Sequence, residues 1–456
     1  MSIYKVTNPA TGEVVAEYPT ATDAQIQEAI ASADKAFTIL KGMSGAERAA
    51  LLHRVADLHA ERRDELAAII TREMGKPIFQ AGYEVDIVES IYRYYADNGP
   101  AFLEDEVLDV VAGGAAVVRK EGLGALLGIM PWNYPYYQVA RFAAPNIMNG
   151  NSILLKHAPQ DPESALAIEK IFADAGAPEG AYVNVFATNE QVADIIADPR
   201  VAGVSLTGSE RAGSAVAEVA GRHLKKVVLE LGGSDPFVLL DAADLDEVVG
   251  RAVFGRMVNA GQACNASKRF IVHEDVYDEF LEKFSAALGG IKPANPTDPK
   301  TFLGPLSSLA AAEGLSKQLD AALASGARTA LAGGRVGGTA YFKPAILTGV
   351  TRDMEVYSQE LFGPVAMVFK VSSEEEAIQI ANDTPFGLGA SIHTDDPEKA
   401  VRVANQIEAG MVYINEPGGT SAELPFGGVK RSGVGRELGR YGMDEFVNRK
   451  LIRTLT

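Results

Sequence analysis

The feature that most constrains the fold of this chain is an alternation, beyond about residue 120, of short apolar runs with longer stretches of helical periodicity. Strands that are apolar throughout are typical of parallel sheets whose two faces are both covered by helices. The segments between the runs carry helix signals, such as the start at Asp161-Pro162 and the stop at Gly176. The apolar runs are 125–130, 153–155, 183–186 and 227–231. We therefore predict an α/β fold with a parallel sheet.

A second set of αβ units lies between about residues 241 and 426, with strand signals at 269–272 and 365–369. Ahead of both sets, Thr22 and Ser44 each precede a Gln or Glu by three residues, which is the pattern of a capping box. This pattern predicts two amphipathic N-terminal helices, the second of which ends at Gly75. Because no low-complexity linker and no internal repeat separates the units, domain limits can be predicted only to within several residues.

Length and composition narrow the class of protein. The 456 residues fit about three domains of roughly 150 residues, although one large α/β domain with additions would fit as well. A single cysteine excludes an intramolecular disulfide, no basic-then-apolar leader begins the chain, and no apolar run approaches about 18 residues. A cytoplasmic protein is therefore expected. The net charge of −18 opposes binding to nucleic acid and to anionic membranes, so neither is expected as a partner.

The single cysteine, Cys264, is a candidate nucleophile. A free cysteine is often only a small buried apolar residue. Cys264, however, follows a helical stretch and a Gly-Gln turn, where main-chain N–H groups favour the thiolate. A thiolate that attacks an aldehyde produces an alkoxide, which the side-chain amide of Asn133 and a backbone N–H would stabilise. Asn133 lies between a strand and a helix, so a turn or a helix cap is an equal alternative for it.

A candidate general base is Glu230, which ends the apolar run Val227-Val-Leu229. A carboxylate at the carboxyl end of a parallel strand faces the crevice where ligands bind. Partial burial there would raise its pKa toward that of a useful base. The alternative is a plain exposed strand end.

The sequence also predicts a phosphate site at Thr207-Gly208-Ser209, which closes a strand and begins a helix with free N–H groups. Lys156, at the end of another strand, would reach a cofactor ribose or phosphate, or would extend to water. Neither a standard dinucleotide fingerprint nor a P-loop occurs. The six histidines form no pair with metal-ligand spacing, so no metal is predicted.

The chain resembles the aldehyde dehydrogenase superfamily over almost its whole length. The resemblance rests on seven motifs in the family's order and spacing. They are Pro131-Trp-Asn133, Lys156, Thr207-Gly-Ser209, Glu230-Leu-Gly-Gly, Gly261-Gln-Ala-Cys264, Glu360-Leu-Phe-Gly-Pro364 and Pro425-Phe-Gly-Gly-Val-Lys-x-Ser-Gly433. Within the superfamily, the segments around Trp132, Lys156 and Glu230 look most like those of bacterial succinate-semialdehyde dehydrogenases.

This resemblance implies two Rossmann-type parallel-sheet domains and a small β oligomerisation arm. The cofactor-binding domain would comprise residues 1–104 and 123–237, and the catalytic domain residues 238–432. The arm would comprise residues 105–122 and 433–456. Because the arm pairs subunits in this family, a homodimer or homotetramer is expected.

The resemblance also implies roles for individual residues. By matching position, Cys264 looks like the nucleophile, Glu230 the general base for deacylation and Asn133 the oxyanion donor. Glu437 aligns with a residue thought to relay protons from that base. The residues implied for NAD or NADP binding are Trp132, Lys156, His157, Pro159, Gly208, Ser209, Leu231, Glu360 and Phe362. The implied reaction is thiolate attack, hydride transfer from the thiohemiacetal to the nicotinamide, and hydrolysis of the acyl-enzyme.

A substrate with a carboxylate tail is implied as well, because Arg141 and Ser421 match the tail contacts of the succinate-semialdehyde dehydrogenases. The alternative for Arg141 is a surface helix residue. Val258 replaces a further arginine of some relatives, which favours weaker tail binding or a broader aldehyde range. Ala266 replaces a second cysteine, so the disulfide switch of some relatives is absent.

The cofactor preference depends on Pro159. Many NAD-preferring relatives carry a glutamate at this position, where it would repel a 2′-phosphate. Pro159 therefore predicts that NADP is tolerated, with Lys156 and His157 as candidate phosphate partners, and it leaves the choice between NAD and NADP open. The alternatives for function are a dehydrogenase of another small aldehyde and a catalytically silent member of the fold.

Overall fold

Two open parallel sheets form most of the protein, which a computed structural model describes from residue 3 to residue 455. Met1, Ser2 and Thr456, which the predicted domain limits include, lie outside the described residues. The strands are β1 (Tyr4–Thr7), β2 (Val14–Tyr18), β3 (Glu106–Leu108), β4 (Ala115–Gly122), β5 (Ala125–Met130), β6 (Ser152–His157), β7 (Tyr182–Asn184), β8 (Val201–Thr207), β9 (Lys226–Glu230), β10 (Asp235–Leu239), β11 (Ser267–His273), β12 (Arg328–Leu331), β13 (Gly334–Arg335), β14 (Phe342–Lys343), β15 (Ala345–Thr348), β16 (Val365–Val371), β17 (Gly389–His393), β18 (Met411–Ile414), β19 (Gly433–Val434) and β20 (Val447–Thr454). The α-helices are α1 (Asp23–Gly42), α2 (Gly45–Glu61), α3 (Arg63–Met74), α4 (Ile78–Phe102), α5 (Tyr137–Met148), α6 (Pro162–Asp174), α7 (Asn189–Ala197), α8 (Glu210–Arg222), α9 (Leu245–Met257), α10 (Glu274–Gly290), α11 (Leu309–Ala324), α12 (Glu374–Asn382) and α13 (Pro397–Ala404).

The first sheet has six strands in the order β19-β9-β8-β5-β6-β7. Strands β5 to β9 are parallel, and only the edge strand β19 of this sheet is antiparallel to its neighbour. Leu126 and Leu155 belong to one core together with residues of α2, α4 and α5, whereas Leu127 and Leu154 belong to another core together with residues of α1, α7 and α8. Burial on both faces explains the continuous apolar runs in these strands.

The second sheet has seven strands in the order β12-β15-β16-β11-β10-β17-β18. Only β12 is antiparallel to its neighbour in this sheet. On β11, Phe270 packs in the core that includes α9 and α10, and Ile271 packs in the core that includes α11 and α12. Together the two sheets confirm the predicted α/β class.

A third, smaller sheet contains β20, β4 and β3, all antiparallel. β4 and β20 pair along their whole length, from Ala115 opposite Thr454 to Gly122 opposite Val447. Large apolar side chains of this sheet are exposed, including Leu451. Pairing of subunits through this sheet stays a prediction.

The predicted domain limits disagree with the sheets at two strands, β10 and β19. The limit between residues 237 and 238 falls inside β10, which pairs with β11 from Asp235 onward. Gly433 and Val434, which the limits assign to the arm, form β19 and extend the six-stranded sheet beside Glu230 and Leu229. Both differences arise because strand pairing, which joins distant segments, decides which sheet a residue belongs to.

The predicted N-terminal capping boxes are confirmed, because the Thr22 and Ser44 hydroxyls each accept a hydrogen bond from the N–H three residues further on. The predicted second helix is divided at Arg62 into α2 and α3, and α3 ends at Gly75, which is left-handed with φ 78°. At the break, the Arg62 guanidinium pairs with Asp174 of α6. No helix among residues 3–455 is both long and apolar enough to span a lipid bilayer.

Candidate active site

Cys264 lies on a loop between α9 and β11. After α9 the chain makes a short 3-10 turn, in which Asn259 and Ala260 have left-handed φ values of 53° and 54°. Gln262 holds the turn, because its side chain donates to the Asn259 carbonyl at 3.1 Å and accepts from the Ser307 N–H at 2.9 Å. The half-buried thiol of Cys264 therefore projects from a loop that side-chain hydrogen bonds fix.

Asn133 approaches the same loop from the turn after β5. Its side-chain Nδ2 donates to the Gln262 carbonyl at 3.1 Å. Its main-chain carbonyl accepts hydrogen bonds of 2.9 Å from both Lys76 Nζ and Asn259 Nδ2. The Asn133 amide thus contacts Gln262, which is two residues before Cys264 in the sequence. The fold therefore brings Asn133 and Cys264, both predicted as site residues, into the same region.

A buried ion pair supports the Asn133 turn from beneath. Lys76 pairs with Glu84, and its ammonium lies 3.6 Å from the centroid of the Tyr134 ring. Glu84 also accepts from the main-chain N–H groups of Tyr136 and Tyr137, at 3.0 Å and 3.2 Å, where α5 begins. Because a buried pair of this kind is costly to break, the turn and the helix start move as one unit.

Glu230 ends β9 and is buried, with 2% of its surface exposed. Neither carboxylate oxygen has a hydrogen-bond partner among the described residues. Burial raises the pKa of Glu230 well above its usual value, and the nearby Arg141 partly opposes this shift. A Cβ at Gly427 would lie 2.7 Å from Glu230 Oε1, so only glycine leaves room for this carboxylate. The plain exposed strand end is therefore the wrong alternative for Glu230.

Arg141, on α5, is fully buried, which makes a surface helix residue the wrong alternative for it. Its Nε donates to Glu437 Oε2 at 2.5 Å, and its guanidinium carbon lies 4.1 Å from the Phe426 ring centroid. Its two terminal nitrogens lie 3.5 Å from the Tyr137 hydroxyl and 3.4 Å from Thr207 Oγ1. The terminal nitrogens of Arg141 therefore make only long, weak hydrogen bonds.

The charges around Cys264 have opposite effects on its thiol. Burial raises the pKa of Cys264 to about 12. Arg141 and Lys268 lower this pKa, whereas Glu360 and Glu230 raise it. The residues that the sequence placed together as nucleophile and base thus interact electrostatically in the folded chain, and the thiol of this form of the protein is protonated at neutral pH.

Glu360 lies close to the turn that follows Glu230. It accepts a hydrogen bond from the Gly233 N–H at 3.1 Å. A Cβ at Gly232 would lie 2.5 Å from Glu360 Oε2, and a Cβ at Gly233 would lie 2.5 Å from the Cys264 carbonyl oxygen. The two glycines are therefore required because the main chain passes between Glu360 and the thiol loop.

Further residues predicted for cofactor binding line the ends of the six-stranded sheet. Ser209 caps α8 through a 3.3 Å bond from the Ala212 N–H, and Gly208 donates to the Glu230 carbonyl at 2.9 Å. Leu231 packs on the face of α8, where a Cβ at Gly213 would lie 2.6 Å from it. Trp132 and Phe362 form an edge-to-face pair with centroids 5.7 Å apart. Lys156 ends β6, and burial lowers its pKa to about 8.

His157 is not arranged as the phosphate contact that the sequence predicts, whereas the role of Pro159 stays a prediction. His157 is fully buried, and its two ring nitrogens contact the Pro135 carbonyl at 2.9 Å and the Ala158 N–H at 2.8 Å. Burial lowers the pKa of His157 to about 4, so the ring is neutral and directed at the main chain. The prediction that His157 contacts a phosphate is corrected on this ground. Between residues 3 and 455, no group of three or more His, Cys, Asp and Glu side chains is arranged to hold a metal ion.

Hydroxyl groups lie close to Arg141, but the Ser421 hydroxyl is not among its partners in the described part of the chain. The Tyr137 hydroxyl lies 2.6 Å from Thr420 Oγ1, next to Ser421 in the sequence. Sequence reasoning missed Tyr137, whose signal was its position four residues before Arg141 on one helix face. It also missed Lys268, whose signal was a charged residue four positions after Cys264, at the start of a strand that continues with the apolar run 270–272.

Comparison with known proteins gives consistent matches over the whole chain. The model of the aldehyde dehydrogenase family matches residues 2–452. The chain is 51% identical over 452 residues, 99% of its length and 94% of the relative's, to a protein of Deinococcus radiodurans named succinate-semialdehyde dehydrogenase (NADP(+)). A protein of Mycobacterium ulcerans named succinate-semialdehyde dehydrogenase (NADP(+)) 1 is 45% identical over 450 residues, 98% of each chain. A crystal structure of succinic semialdehyde dehydrogenase from Streptococcus pyogenes in complex with NADP+ has a TM-score of 0.97 and 42% identity, covering 99% of this chain and 100% of that one.

Proposed function

Because the chain belongs to the aldehyde dehydrogenase family, we propose that it oxidises succinate semialdehyde to succinate with NADP as the electron acceptor. The observation that most supports this function is the buried guanidinium of Arg141, whose positive charge acts on the Cys264 thiol. In addition, the chain is 51% identical over 452 residues to a relative named for this activity. The predicted superfamily and its fold are confirmed by full-length matches. NAD use is compatible with Pro159, which presents no carboxylate to a 2′-phosphate.

In this proposal Cys264 supplies the nucleophile. Its thiolate adds to the aldehyde carbonyl carbon, and the carbonyl oxygen becomes an alkoxide. The Asn133 Nδ2, which now donates to the Gln262 carbonyl at 3.1 Å, and a backbone N–H of the thiol loop would stabilise that charge. Since the turn of Asn133 is held by Lys76 and Asn259, the donor needs little reorganisation.

The residues present fit a dinucleotide cofactor. Ser209 at the start of α8 offers a helix N-terminus for the pyrophosphate, with Trp132 at its side. Lys156 and Glu360 would hold the adenine ribose and the nicotinamide ribose. The absence of a side chain at Gly232 allows the Glu360 carboxylate to lie against the main chain that follows Glu230. When bound, the nicotinamide accepts a hydride from the carbon attached to Cys264.

Glu230 would then act as the general base that activates a water molecule to hydrolyse the thioester. A buried carboxylate with a raised pKa and no hydrogen-bond partner among residues 3–455 is well suited to accept that proton. Glu437, which is held by Arg141 and by the Ser205 hydroxyl at 3.2 Å, would receive the proton next. The charge of Arg141 thus acts on both carboxylates, and its Nε donates a hydrogen bond to Glu437.

The substrate tail would bind the terminal nitrogens of Arg141, since only its Nε is committed to Glu437. We expect Arg141→Ala to raise the KM for succinate semialdehyde by about 10- to 100-fold, the value of one charged hydrogen-bonded contact. Butanal, which has the same length and no carboxylate, should show a much smaller change in KM. Steady-state kinetics on both aldehydes measures the difference.

Arg141→Lys is the control for the buried charge, because it keeps a cation beside Glu437 and removes the planar fork. It should impair succinate semialdehyde binding while leaving butanal oxidation close to that of the parent protein. Equal losses on both aldehydes would show that Arg141 serves only Glu437 and Glu230.

The function as a whole is tested by initial rates with NADP and with NAD on succinate semialdehyde, butanal and a larger aldehyde. We expect the highest kcat/KM for succinate semialdehyde with NADP. A preference for butanal would favour a dehydrogenase of another small aldehyde. No reduced cofactor with any aldehyde would establish a catalytically silent member of the fold.

Assembly and location are further parts of the proposal. Subunits would pair through the sheet of β3, β4 and β20 as a homodimer or homotetramer, because this sheet exposes apolar side chains such as Val107 and Leu451. A cytoplasmic location is favoured by the single cysteine and the net charge of −18.

A further inference from the structure

Lys268 is a fully buried lysine in the second residue of β11, four positions after Cys264. Its ammonium donates to the main-chain carbonyls of Ala263 at 2.9 Å and of Cys264 at 2.7 Å. It also forms an ion pair with Glu360, with Nζ 3.2 Å from Oε1. One cation therefore connects the loop of the thiol to the carboxylate proposed for the nicotinamide ribose.

A charged side chain in this place needs a reason, because burial of an ammonium is costly and an apolar residue such as methionine would fill the same strand position. Burial lowers the pKa of Lys268, and the carboxylate of Glu360 is the first influence that opposes this shift. The other groups that face the ammonium are Asp235 and Cys264, which favour its charge, and Arg256, which opposes it. The ammonium of Lys268 therefore lies among groups of both signs, with Glu360 as its ion-pair partner.

We infer that Lys268 is a positioning residue for the reaction: it fixes the loop of Cys264 against Glu360 and supplies positive charge to the thiolate, in an amount that Glu360 limits by pairing with it. The inference rests on the proposed role of Cys264 as the nucleophile. It adds a residue that sets the reactivity of the thiol before any aldehyde is present.

Four charged groups face the Cys264 thiol, and their signs make the inference testable. Arg141 and Lys268 favour the thiolate, and Glu360 and Glu230 disfavour it. Loss of Lys268 should therefore raise the apparent pKa of the thiol. Loss of the Glu360 charge should lower it, since the ammonium would then be less neutralised. A residue that only packs the loop would not produce shifts of opposite sign.

The experiment measures the rate at which iodoacetamide alkylates the protein, as a function of pH and without cofactor or aldehyde. Cys264 is the only cysteine of the chain, so the rate reports on one thiol. Lys268→Met should raise the apparent pKa by about one unit, which slows alkylation about tenfold at a fixed pH below that pKa. Glu360→Gln should speed alkylation, and the double variant should lie between the two.

Lys283→Met is the matched control, because Lys283 is also ion-paired, with Asp246 and Glu279, but lies on the exposed face of α10. It should alkylate like the parent protein. A folded Lys268→Met protein with an unchanged pH profile would overturn the inference. If Lys268→Met does not fold, Lys268→Gln decides, because it keeps a hydrogen-bond donor at this position and removes the charge; an unchanged pH profile in that variant would equally overturn the inference.

The outcome is separate from that of the proposed function. Alkylation needs no turnover. If the thiol pKa shifts as expected in Lys268→Met and Glu360→Gln but the parent protein oxidises no aldehyde, only the proposed function is contradicted. Aldehyde oxidation with no shift of the thiol pKa in either variant would contradict only the inference about Lys268.

Discussion

Cys264→Ser is expected to lower kcat for succinate semialdehyde by about 10⁴-fold or more, the scale of loss when a covalent nucleophile is removed. A serine hydroxyl is a far weaker acid than a thiol, so the positive charges of Arg141 and Lys268, which favour the thiolate of Cys264, are not enough to ionise it. Reduced-cofactor formation at saturating NADP measures the effect.

The serine variant also provides its own check on folding. Its melting temperature should stay close to that of the parent protein, because oxygen replaces sulfur without changing the contacts of Gln262 and Asn133 that hold the loop. Reaction with iodoacetamide should be absent, since no other thiol exists in the chain. More than a tenth of the parent activity in this variant would show that the sulfur does not form the intermediate.

The sequence could predict the α/β class and the loop position of Cys264 because both depend on local patterns. Strands such as β5 and β6 contain continuous apolar runs because helices cover both faces, and this burial is readable from the sequence alone. The Gly-Gln turn lies within a few residues of Cys264, so the position of Cys264 on a loop could also be predicted from neighbouring residues. The division of the second helix at Arg62 was not readable, because neither glycine nor proline marks that position in the sequence.

Site residues that depend on distant partners were predicted less well. Arg141 and Glu437 lie 296 positions apart, and no local pattern indicates that a tail-binding arginine is also the partner of a proposed proton relay. His157 illustrates a different limit: successive residues of a strand point to opposite faces, so its neighbour Lys156 reaches the edge of the sheet while His157 turns to the Pro135 carbonyl. Strand alternation, applied to Lys156 and His157, would have separated the two in advance.

Glu230→Gln is expected to separate the two halves of the reaction. Glutamine keeps the shape of the side chain but accepts no proton, so thioester hydrolysis should slow by about 10²- to 10⁴-fold while acylation of Cys264 is less affected. A rapid burst of about one reduced cofactor per active site followed by a slow steady state should appear, and intact-protein mass spectrometry should detect the succinyl thioester.

The direction in which steady-state turnover changes with pH can be predicted from the pKa of Glu230. Burial raises the pKa of Glu230, so the carboxyl is protonated over a wider range than usual and becomes a base only as the pH rises. Steady-state turnover of the parent protein should therefore increase with pH through that range, and the Glu230→Gln profile should be flat there. Glu218→Gln, which removes an exposed carboxylate paired with Arg222, should leave burst and profile unchanged. If the Glu230→Gln protein turns over without a burst and its rate still rises with pH, another group is the general base. Glu437 would be the next residue to replace, because it is paired with the buried Arg141.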